Sequence, residues 1–206
     1  MILTFNNITT KYDMNINGVI HVGAHHGEEI PLYINNGIKN IVLFEPVERN
    51  FDIVAKHAAN YDANILGYQV ALGSEHKTVD MYLSSNMCES SSILKPKEHL
   101  NLYPDITFNE TETIEVKLLD DYNFTKYNFL NMDVQGYELE VLKGAKNTLN
   151  HIDYVYCEVN RAEIYENNAY IEDIDKFLLQ YSFERTETNW WQDHDWGDAL
   201  YTKQEK

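Results

Sequence analysis

A glycine-containing turn between two apolar runs, followed by an acidic residue, is the part of the chain with the clearest chemical meaning. The run Val19–Val22 leads into Gly23, Gly27 closes the turn, and the next apolar run ends in Glu45. Glycine suits such a turn because a Cβ atom would block close approach of the backbone to a ligand. A carboxylate at the end of the second strand can accept hydrogen bonds from both ribose hydroxyls. This order of elements predicts a site for a nucleoside-bearing cofactor.

The spacing of the turn disfavours a dinucleotide. Counted from Gly23, the fingerprint Gly-x-Gly-x-x-Gly needs glycine at the positions that His25 and Glu28 occupy. Glu28 and Glu29 also begin the predicted helix, where free N–H groups and the helix dipole would otherwise attract phosphate. Two carboxylates there favour a cofactor without phosphates, and S-adenosylmethionine is one. The alternative is a glycine-rich turn that binds no ligand.

The composition indicates one acidic globular domain. With 206 residues, 44% of them hydrophobic, we expect a single domain over residues 1–206, either alone or excised from a longer chain. The 33 acidic and 16 basic residues give a formal net charge of −17. This charge disfavours nucleic acid and anionic membranes as partners, because both are bound by clustered Lys and Arg.

Neither a membrane span nor a secretory signal is expected. No apolar run approaches the ~20 residues that cross a bilayer, and the first residues lack the pattern of a signal peptide. Cys88 and Cys157 are far apart and form no metal-binding or redox motif. We therefore expect two reduced thiols in a cytoplasmic protein.

The elements that position the turn follow from the hydrophobic pattern. Strands are predicted at 19–22, 41–45, 65–71, 78–83, 114–118, 129–133, 154–159, 182–187 and 199–203. Helices are predicted at 28–36, 48–60, 137–150 and 171–181. The alternation of the two, with a strand pair at the end, predicts an open, mostly parallel sheet with helices on both faces.

A long polar segment, residues 84–112, interrupts this alternation. It contains Pro96, Pro104 and a run of serines, and it is too long for a simple connection. Long loops in compact domains usually cover or bind a ligand, so we expect this segment to cover the substrate. The alternative is a flexible insertion without function.

Several motifs, distributed over residues 17–203, carry a family resemblance. The most specific runs from Asp133 to Ala145 and reads Asp-x-x-Gly-x-Glu-x-x-x-Leu-x-Gly-Ala. The others are the glycine turn itself, Phe44-Glu-Pro46, Val70-Ala-Leu-Gly73, Ser90-Ser-Ser-Ile93 and Gly197-Asp-Ala-Leu-Tyr201. Together they resemble the FkbM-like methyltransferases. The resemblance implies a class I, Rossmann-like α/β fold with a mostly parallel seven-stranded sheet. It also implies S-adenosylmethionine-dependent O-methylation of a sugar or polyketide hydroxyl.

Two positions depart from the family pattern. His21 stands where an acidic residue is usual two places before the first glycine, and a positive charge there would disturb a contact with the methionine ammonium. Gln135 stands where an acidic residue is common, and Gln cannot serve as a base. His21 is the feature that keeps a catalytically silent binding module as an alternative.

The resemblance implies cofactor-binding roles for a set of residues at the predicted strand ends. The turn passes under the methionine portion, Glu45 accepts from the ribose, and the third strand ends beside the adenine. The cofactor-binding set is Gly23, Ala24, His25, Gly27, Glu45, Pro46, Ala71, Leu72 and Asp133.

Asp133 is the leading candidate for chemistry, because it ends a strand at the sheet edge where ligands bind. A base or a metal that lowers the pKa of a sugar hydroxyl would assist methyl transfer. Glu158 ends the neighbouring strand, and His194 or His25 could complete a base or a divalent metal site. The catalytic prediction is therefore Asp133, Glu158 and His194, with the metal left open. Asp133 could instead only cap the following helix.

An aromatic and acidic segment, residues 189–198, suits a sugar acceptor, because aromatic rings stack on sugar faces and carboxylates accept from hydroxyls. The predicted acceptor-binding residues are Ser91, Ser92, Trp191 and Asp198. The Trp residues could instead fill the core.

The predicted function is methylation of a sugar or glycan hydroxyl, with a lipid or polyketide hydroxyl as the alternative. A nicotinamide oxidoreductase is disfavoured by the turn spacing. A glycosyltransferase, fused or in complex, stays open as a partner.

Overall fold

The computed structural model of the protein describes residues 3–192 and 194–204. The strands are β1 Val19–Val22, β2 Asn40–Phe44, β3 Asn64–Tyr68, β4 Ala71–Leu72, β5 Lys77–Leu83, β6 Glu110–Lys117, β7 Phe129–Met132, β8 Tyr154–Asn160, β9 Phe183–Trp190 and β10 Trp196–Lys203. The α-helices are α1 Phe5–Lys11, α2 Ile30–Asn35, α3 Glu48–Ala58, α4 His99–Leu102, α5 Glu138–Lys143 and α6 Ile171–Leu179. Single 3₁₀ turns lie at Leu119–Asp121 and Thr148–Asn150.

Seven strands form the main sheet, in the order β3-β2-β1-β7-β8-β10-β9. The first five run parallel, and β10 is antiparallel to both of its neighbours. The predicted mixed α/β fold with a mostly parallel seven-stranded sheet is thus confirmed. The strand order reverses between β1 and β7, and ligands in open sheets bind at such a switch point.

The strand register brings the ends of β1, β2 and β7 to one level with Glu158, which lies inside β8 rather than at the predicted strand end, because β8 continues to Asn160. Val22 pairs with Phe44 on one side and with Met132 on the other, and Met132 pairs with Cys157. The next residues along these strands are Gly23, Glu45, Asp133 and Glu158. The register therefore gathers these four residues at the carboxyl edge of the sheet.

Each face of the sheet has its own hydrophobic core, because successive side chains on a strand point to opposite faces. On one face, residues such as Val19 and Ile41 pack with Ile8 of α1 and Ile30 of α2. On the other face, α5 and α6 pack on β1, β7 and β8, with Val141 and Ile174 at the centre. Helices thus cover both faces, as predicted. None of the helices in the described ranges is long and apolar enough to span a lipid bilayer.

Two predicted strands lie outside the main sheet, and a third is divided between the two sheets. The predicted strand 65–71 ends at Tyr68, where Val70 N–H bonds back to the Tyr68 carbonyl. The chain then continues as β4, which pairs with β6 in a separate sheet of order β4-β6-β5. The predicted strands 78–83 and 114–118 correspond to β5 and β6 and pair with each other there.

The helix bounds also differ from the prediction. Helix α2 begins at Ile30 rather than at 28, with Pro31 in its first turn, where proline is favoured. Helix α5 ends at Lys143 rather than at 150, because Gly144 lies against the backbone of Gly73 and the chain turns away. Helices α1 and α4 were not predicted.

Candidate functional site

A cavity of about 350 Å³ opens at the carboxyl ends of β1, β2 and β7. Seven of the nine residues predicted to bind the cofactor line it, namely Gly23, His25, Glu45, Pro46, Ala71, Leu72 and Asp133. Ala24 is instead buried in the core on the α1 side of the sheet, and Gly27 packs against Ile30 and Val54. We call this space the first cavity.

The two glycines of the turn are required by neighbouring protein atoms. Gly23 has a φ of +81°, and a Cβ there would overlap the carbonyl oxygen of Asp133. Gly27 has a φ of +79°, and a Cβ there would press on Ile30 and Val54 at 2.7 Å. Glycine is therefore required at both positions for packing against the protein itself, and close approach of the turn to a ligand stays a prediction.

Glu45 is a fixed carboxylate in the wall of the first cavity, with 5% of its surface exposed. Its Oε2 accepts from the backbone N–H of His25 at 2.9 Å, and its Oε1 accepts from that of Val47 at 3.0 Å. Burial raises the pKa of Glu45 to about 7, although both N–H donors oppose this shift. Asn50 contributes a further side-chain hydrogen bond, and the lone pairs that remain let Glu45 accept from a ribose hydroxyl.

His25 is held as a cation at the cavity wall. Its Nδ1 lies 2.9 Å from Glu28 Oε1, and its Nε2 lies 2.8 Å from the Met87 carbonyl oxygen. Because both partners are acceptors, both ring nitrogens carry protons. Burial alone would lower the pKa of His25, but these bonds outweigh it and raise the pKa to about 9. Burial likewise opposes ionisation of Glu28, yet the bond from His25 lowers its pKa to about 2.

His21 is neutral, which answers the question raised by its departure from the family pattern. Burial lowers the pKa of His21 to about 4. Asn131 Nδ2 donates to the Tyr33 hydroxyl at 2.7 Å, and that hydroxyl lies 3.3 Å from His21 Nδ1. The neutral ring of His21 lines the first cavity. His21 therefore places no positive charge there.

The half-buried Asp133 and Gln135 and the buried Glu158 form a polar group beside the first cavity. Gln135 Nε2 lies 2.6 Å from Asp133 Oδ1 and 3.1 Å from Glu158 Oε2, and Gln135 Oε1 accepts from the Tyr165 hydroxyl at 2.8 Å. Burial raises the pKa of Asp133. Burial and the nearby Asp133 carboxylate raise the pKa of Glu158 well above its usual value. Gln135 thus supplies donors that an acidic residue at this position would lack.

Asp133 does not cap the helix that follows it. The N-cap residue of α5 is Tyr137, and no side chain caps that end. The loop after Asp133 is held by Glu138, whose Oε1 accepts from Val134 N–H at 3.0 Å and from Gly136 N–H at 3.3 Å. The carboxylate of Asp133 therefore stays available at the edge of the sheet.

A second cavity of about 350 Å³ lies next to the first. Glu89, Asp133 and Gln135 line both cavities, so the two spaces meet at these residues. The remaining walls of the second cavity are acidic or aromatic for the most part. They include Glu158, Asp198, His99, Tyr103, Tyr165, Trp191 and Trp196.

The other predicted residues take different positions. Trp191 and Asp198 line the second cavity, whereas Ser91 lines the first. Ser92 is buried, and its Oγ donates to the Gln135 carbonyl at 2.8 Å. His194 lines neither cavity, and its ring stacks on Tyr103 with centroids 6.0 Å apart.

Among the described residues, no histidine lies with Asp133 and Glu158 in a group that could hold a metal ion. In the described ranges, the group with suitable ligand atoms is His25, His26 and Glu28. Both ring nitrogens of His25 are already engaged there.

The segment 84–112 contributes to both cavities. Cys88 and Ile93 line the first, Asn86, His99 and Tyr103 line the second, and Glu89 lines both. The Tyr165 hydroxyl holds the segment, because its single proton is shared between Gln135 Oε1 and the Ser90 carbonyl oxygen, which lies 2.9 Å away. Sequence reasoning missed the roles of His99 and Tyr165, because nothing in their local sequence marks them.

Comparisons with known proteins agree on the family. A sequence model described as "Methyltransferase FkbM domain" matches residues 21–185. The 2-O-methyltransferase NoeI of Sinorhizobium fredii is 26% identical over 182 residues, which cover 81% of this chain and 74% of that protein. The hexuronic acid methyltransferase AglP of Haloferax volcanii is 25% identical over 125 residues, which cover 59% of this chain and 47% of that protein.

Solved structures share the fold at low sequence identity. A ribosomal protein L11 methylase from Lactobacillus delbrueckii subsp. bulgaricus has a TM-score of 0.56 at 11% identity, over 97% of this chain and 76% of that one. The magnesium protoporphyrin IX methyltransferase ChlM from Synechocystis PCC 6803, solved with bound SAM, has a TM-score of 0.53 at 10% identity, over 96% of this chain and 74% of that one. The family match spans most of the chain, and the chain therefore belongs to the FkbM methyltransferase family.

Proposed function

We propose that the protein is an S-adenosylmethionine-dependent O-methyltransferase that acts on a hydroxyl of a sugar or glycan. The observation that carries this proposal is the position of Asp133, where the first cavity meets the second. One cavity suits the methyl donor and the other the acceptor, and a carboxylate with a raised pKa stands between them. The two curated relatives, both methyltransferases by name, support the reaction class.

The side chains that line the first cavity suit S-adenosylmethionine. Glu28, Glu29 and Glu45 line this cavity, and such an acidic wall disfavours a phosphate-bearing cofactor. Glu45 would accept from the ribose hydroxyls, while Ala71 and Leu72 would border the adenine. The turn at Gly23 and the neutral His21 would border the methionine portion. When bound, the cofactor supplies the methyl group.

The second cavity, called the acceptor cavity from here on, would hold the sugar. Trp191 and Trp196 stack with centroids 5.6 Å apart and rings inclined by 15°. Trp196 Nε1 donates to the Tyr103 hydroxyl at 3.0 Å, which fixes the orientation of that indole. Rigid aromatic faces of this kind pack against the apolar faces of sugar rings.

Asp133 would act as the general base. A sugar hydroxyl is a poor nucleophile, and it must lie about 3 Å from the methyl carbon in line with the sulfur. Asp133 would take the hydroxyl proton while the oxygen accepts the methyl group, which the bound cofactor would release from its sulfonium sulfur with the bonding electron pair left on sulfur. Burial raises the pKa of Asp133, which makes its carboxylate a stronger base than an exposed one. Gln135 holds Oδ1 of Asp133, which leaves Oδ2 for the acceptor.

The proposal is tested by incubating a panel of hydroxyl compounds with the protein and methyl-labelled S-adenosylmethionine and analysing the products by mass spectrometry. The panel contains glycosides, a fatty alcohol and a phenolic polyketide. We expect label on a glycoside as a methyl ether. Label on the fatty alcohol or the polyketide alone would contradict the sugar acceptor.

A further inference from the structure

The walls of the acceptor cavity have an unbalanced charge. Four acidic side chains line it, namely Glu89, Asp133, Glu158 and Asp198. Among the described residues that line it, there is no Lys and no Arg. His99 adds no positive charge, because burial lowers its pKa. A carboxylate group on a ligand would therefore be placed among acidic side chains, with no lining cation to pair with it.

The cavity walls also hold polar atoms that need a partner. His99 is 3% exposed, and its Nδ1 has no hydrogen-bond partner among the described residues. The side-chain oxygen of Asn86, another lining residue, is buried and equally without a partner in the described part of the chain. Buried polar atoms are usually paired, so unpaired ones beside a cavity indicate a polar ligand.

The balance of donors and acceptors specifies that ligand further. The unpaired Asn86 atom is an acceptor, and ionised carboxylates only accept. The indole N–H of Trp196 already donates to Tyr103, and the side-chain N–H groups of Gln135 already lie against Asp133 and Glu158. The Tyr103 hydroxyl accepts from Trp196 and keeps its own O–H for a ligand. Because the four acidic side chains and Asn86 offer more acceptors than this, the cavity favours a ligand rich in donors, as hydroxyl and ammonium groups are.

We propose that the acceptor cavity selects neutral or amino sugars and rejects hexuronic acids. This inference rests on the proposed function, since it assigns the sugar to the acceptor cavity. It separates this protein from its relative AglP, which is named for a hexuronic acid. A neutral sugar supplies hydroxyl donors to Asn86 and the carboxylates, and an amino sugar adds a positive charge that the cavity can pair. A uronic acid replaces one hydroxyl donor with a negative charge.

The test is a binding measurement on the protein loaded with S-adenosylhomocysteine, by isothermal titration calorimetry and saturation-transfer NMR. The probes are the phenyl glycosides of glucose, glucosamine and glucuronic acid, and the matching galacto series. In at least one series we expect the uronide to bind about tenfold more weakly than the neutral glycoside, since like-charge contacts disfavour a partner strongly. The glucosaminide or galactosaminide should bind at least as well as its neutral counterpart.

Two charge-reversal variants identify the source of the selectivity. Glu89 is exposed at the junction of the cavities, so Glu89→Lys should leave the fold intact. The ratio of the Kd of the uronide to the Kd of the neutral glycoside should fall about threefold or more in this variant. Glu115→Lys changes the net charge equally on an exposed strand away from the cavity, and it should leave the difference unchanged.

Three results would overturn the inference. Uronides that bind the wild-type protein as tightly as their neutral counterparts would contradict it while leaving the proposed function standing. Equal effects of Glu89→Lys and Glu115→Lys would show that the cavity is not the source of the selectivity. If no glycoside binds although S-adenosylhomocysteine does, the sugar acceptor itself is wrong, and the inference fails with it.

Discussion

The side-chain amide of Gln135 is a bridge between Asp133 and Glu158, with Nε2 at 2.6 Å from Asp133 Oδ1 and at 3.1 Å from Glu158 Oε2. Two carboxylates on neighbouring strands would otherwise repel each other. The bridge requires an unusual backbone, because Gln135 has a φ of +54°. Its side-chain oxygen is held in turn by Tyr165.

Gln135→Glu should destabilise the protein at neutral pH by roughly 1–3 kcal/mol, the cost of leaving buried polar groups unpaired. The new side chain has the same size but lacks donors and adds a carboxylate. The loss should shrink as the pH falls and the carboxyl groups take up protons. Urea denaturation at pH 7 and pH 5 measures it, with the exposed Gln192→Glu as control. Equal stability of Gln135→Glu and the control would show that the bridge contributes nothing.

Glu45→Ala should weaken binding of S-adenosylhomocysteine by roughly 1.5–3 kcal/mol, the range for hydrogen bonds to a charged group. Isothermal titration calorimetry measures this affinity, and Glu48→Ala, an exposed glutamate three residues on, is the control. In the wild-type protein, a hundredfold excess of this ligand over its Kd should stabilise the fold by about 2.7 kcal/mol, whereas NADH should not. Unchanged affinity in a folded Glu45→Ala protein would exclude Glu45 as the ribose partner.

The His25 pair predicts a loss of stability in alkali. The folded-state pKa of His25 is about 9, above the ordinary value of 6.5, so its contribution is fully present below pH 6.5. That contribution is lost as the pH rises from 6.5 to 9. The free energy of unfolding of the wild-type protein should therefore fall more over this window than that of His25→Gln. Parallel pH profiles of the two proteins would contradict the assignment of a protonated His25.

Two glycines with similar backbone angles give a matched test of the turn. Gly23 and Gly37 have φ values of +81° and +78°, but a Cβ at Gly37 would meet no atom within 4 Å. Gly37→Ala should cost about 1 kcal/mol from backbone strain alone. Gly23→Ala should cost about 3 kcal/mol or more, because its Cβ also overlaps the Asp133 carbonyl. Thermal unfolding compares the stability of the two variants. Equal losses of stability would contradict a steric requirement for glycine at position 23.

The sequence was sufficient to place Glu45 and Asp133 directly after buried parallel strands. Continuous apolar runs mark such strands, whose carboxyl ends lie at one edge of the sheet. Glu158 reaches the same level inside β8, because that strand continues to Asn160 beyond the predicted end. The break after Tyr68 was not predictable, because β-forming residues continue on both sides of it and only the pairing of β4 with β6 separates the two strands.

The acceptor side was harder to predict, since its residues come together through tertiary contacts. His99 of α4 borders the acceptor cavity because it packs against Tyr165, with the two ring centroids 5.6 Å apart. Neither residue belongs to a motif. The prediction of His194 as a catalytic residue rests on its residue type, but its ring stacks on Tyr103 outside both cavities.

The most direct test of the central claim is the turnover number of Asp133→Asn for methyl transfer from S-adenosylmethionine to the best glycoside of the panel. Asn keeps the size of Asp and a hydrogen-bonding oxygen but removes the negative charge. We predict a fall of about 10²-fold or more, the low end for loss of a general base, and a much smaller change in affinity for S-adenosylhomocysteine. The exposed Asp105→Asn should retain full turnover. Near-normal turnover of Asp133→Asn would contradict the account and leave the carboxylate between the cavities without a catalytic role.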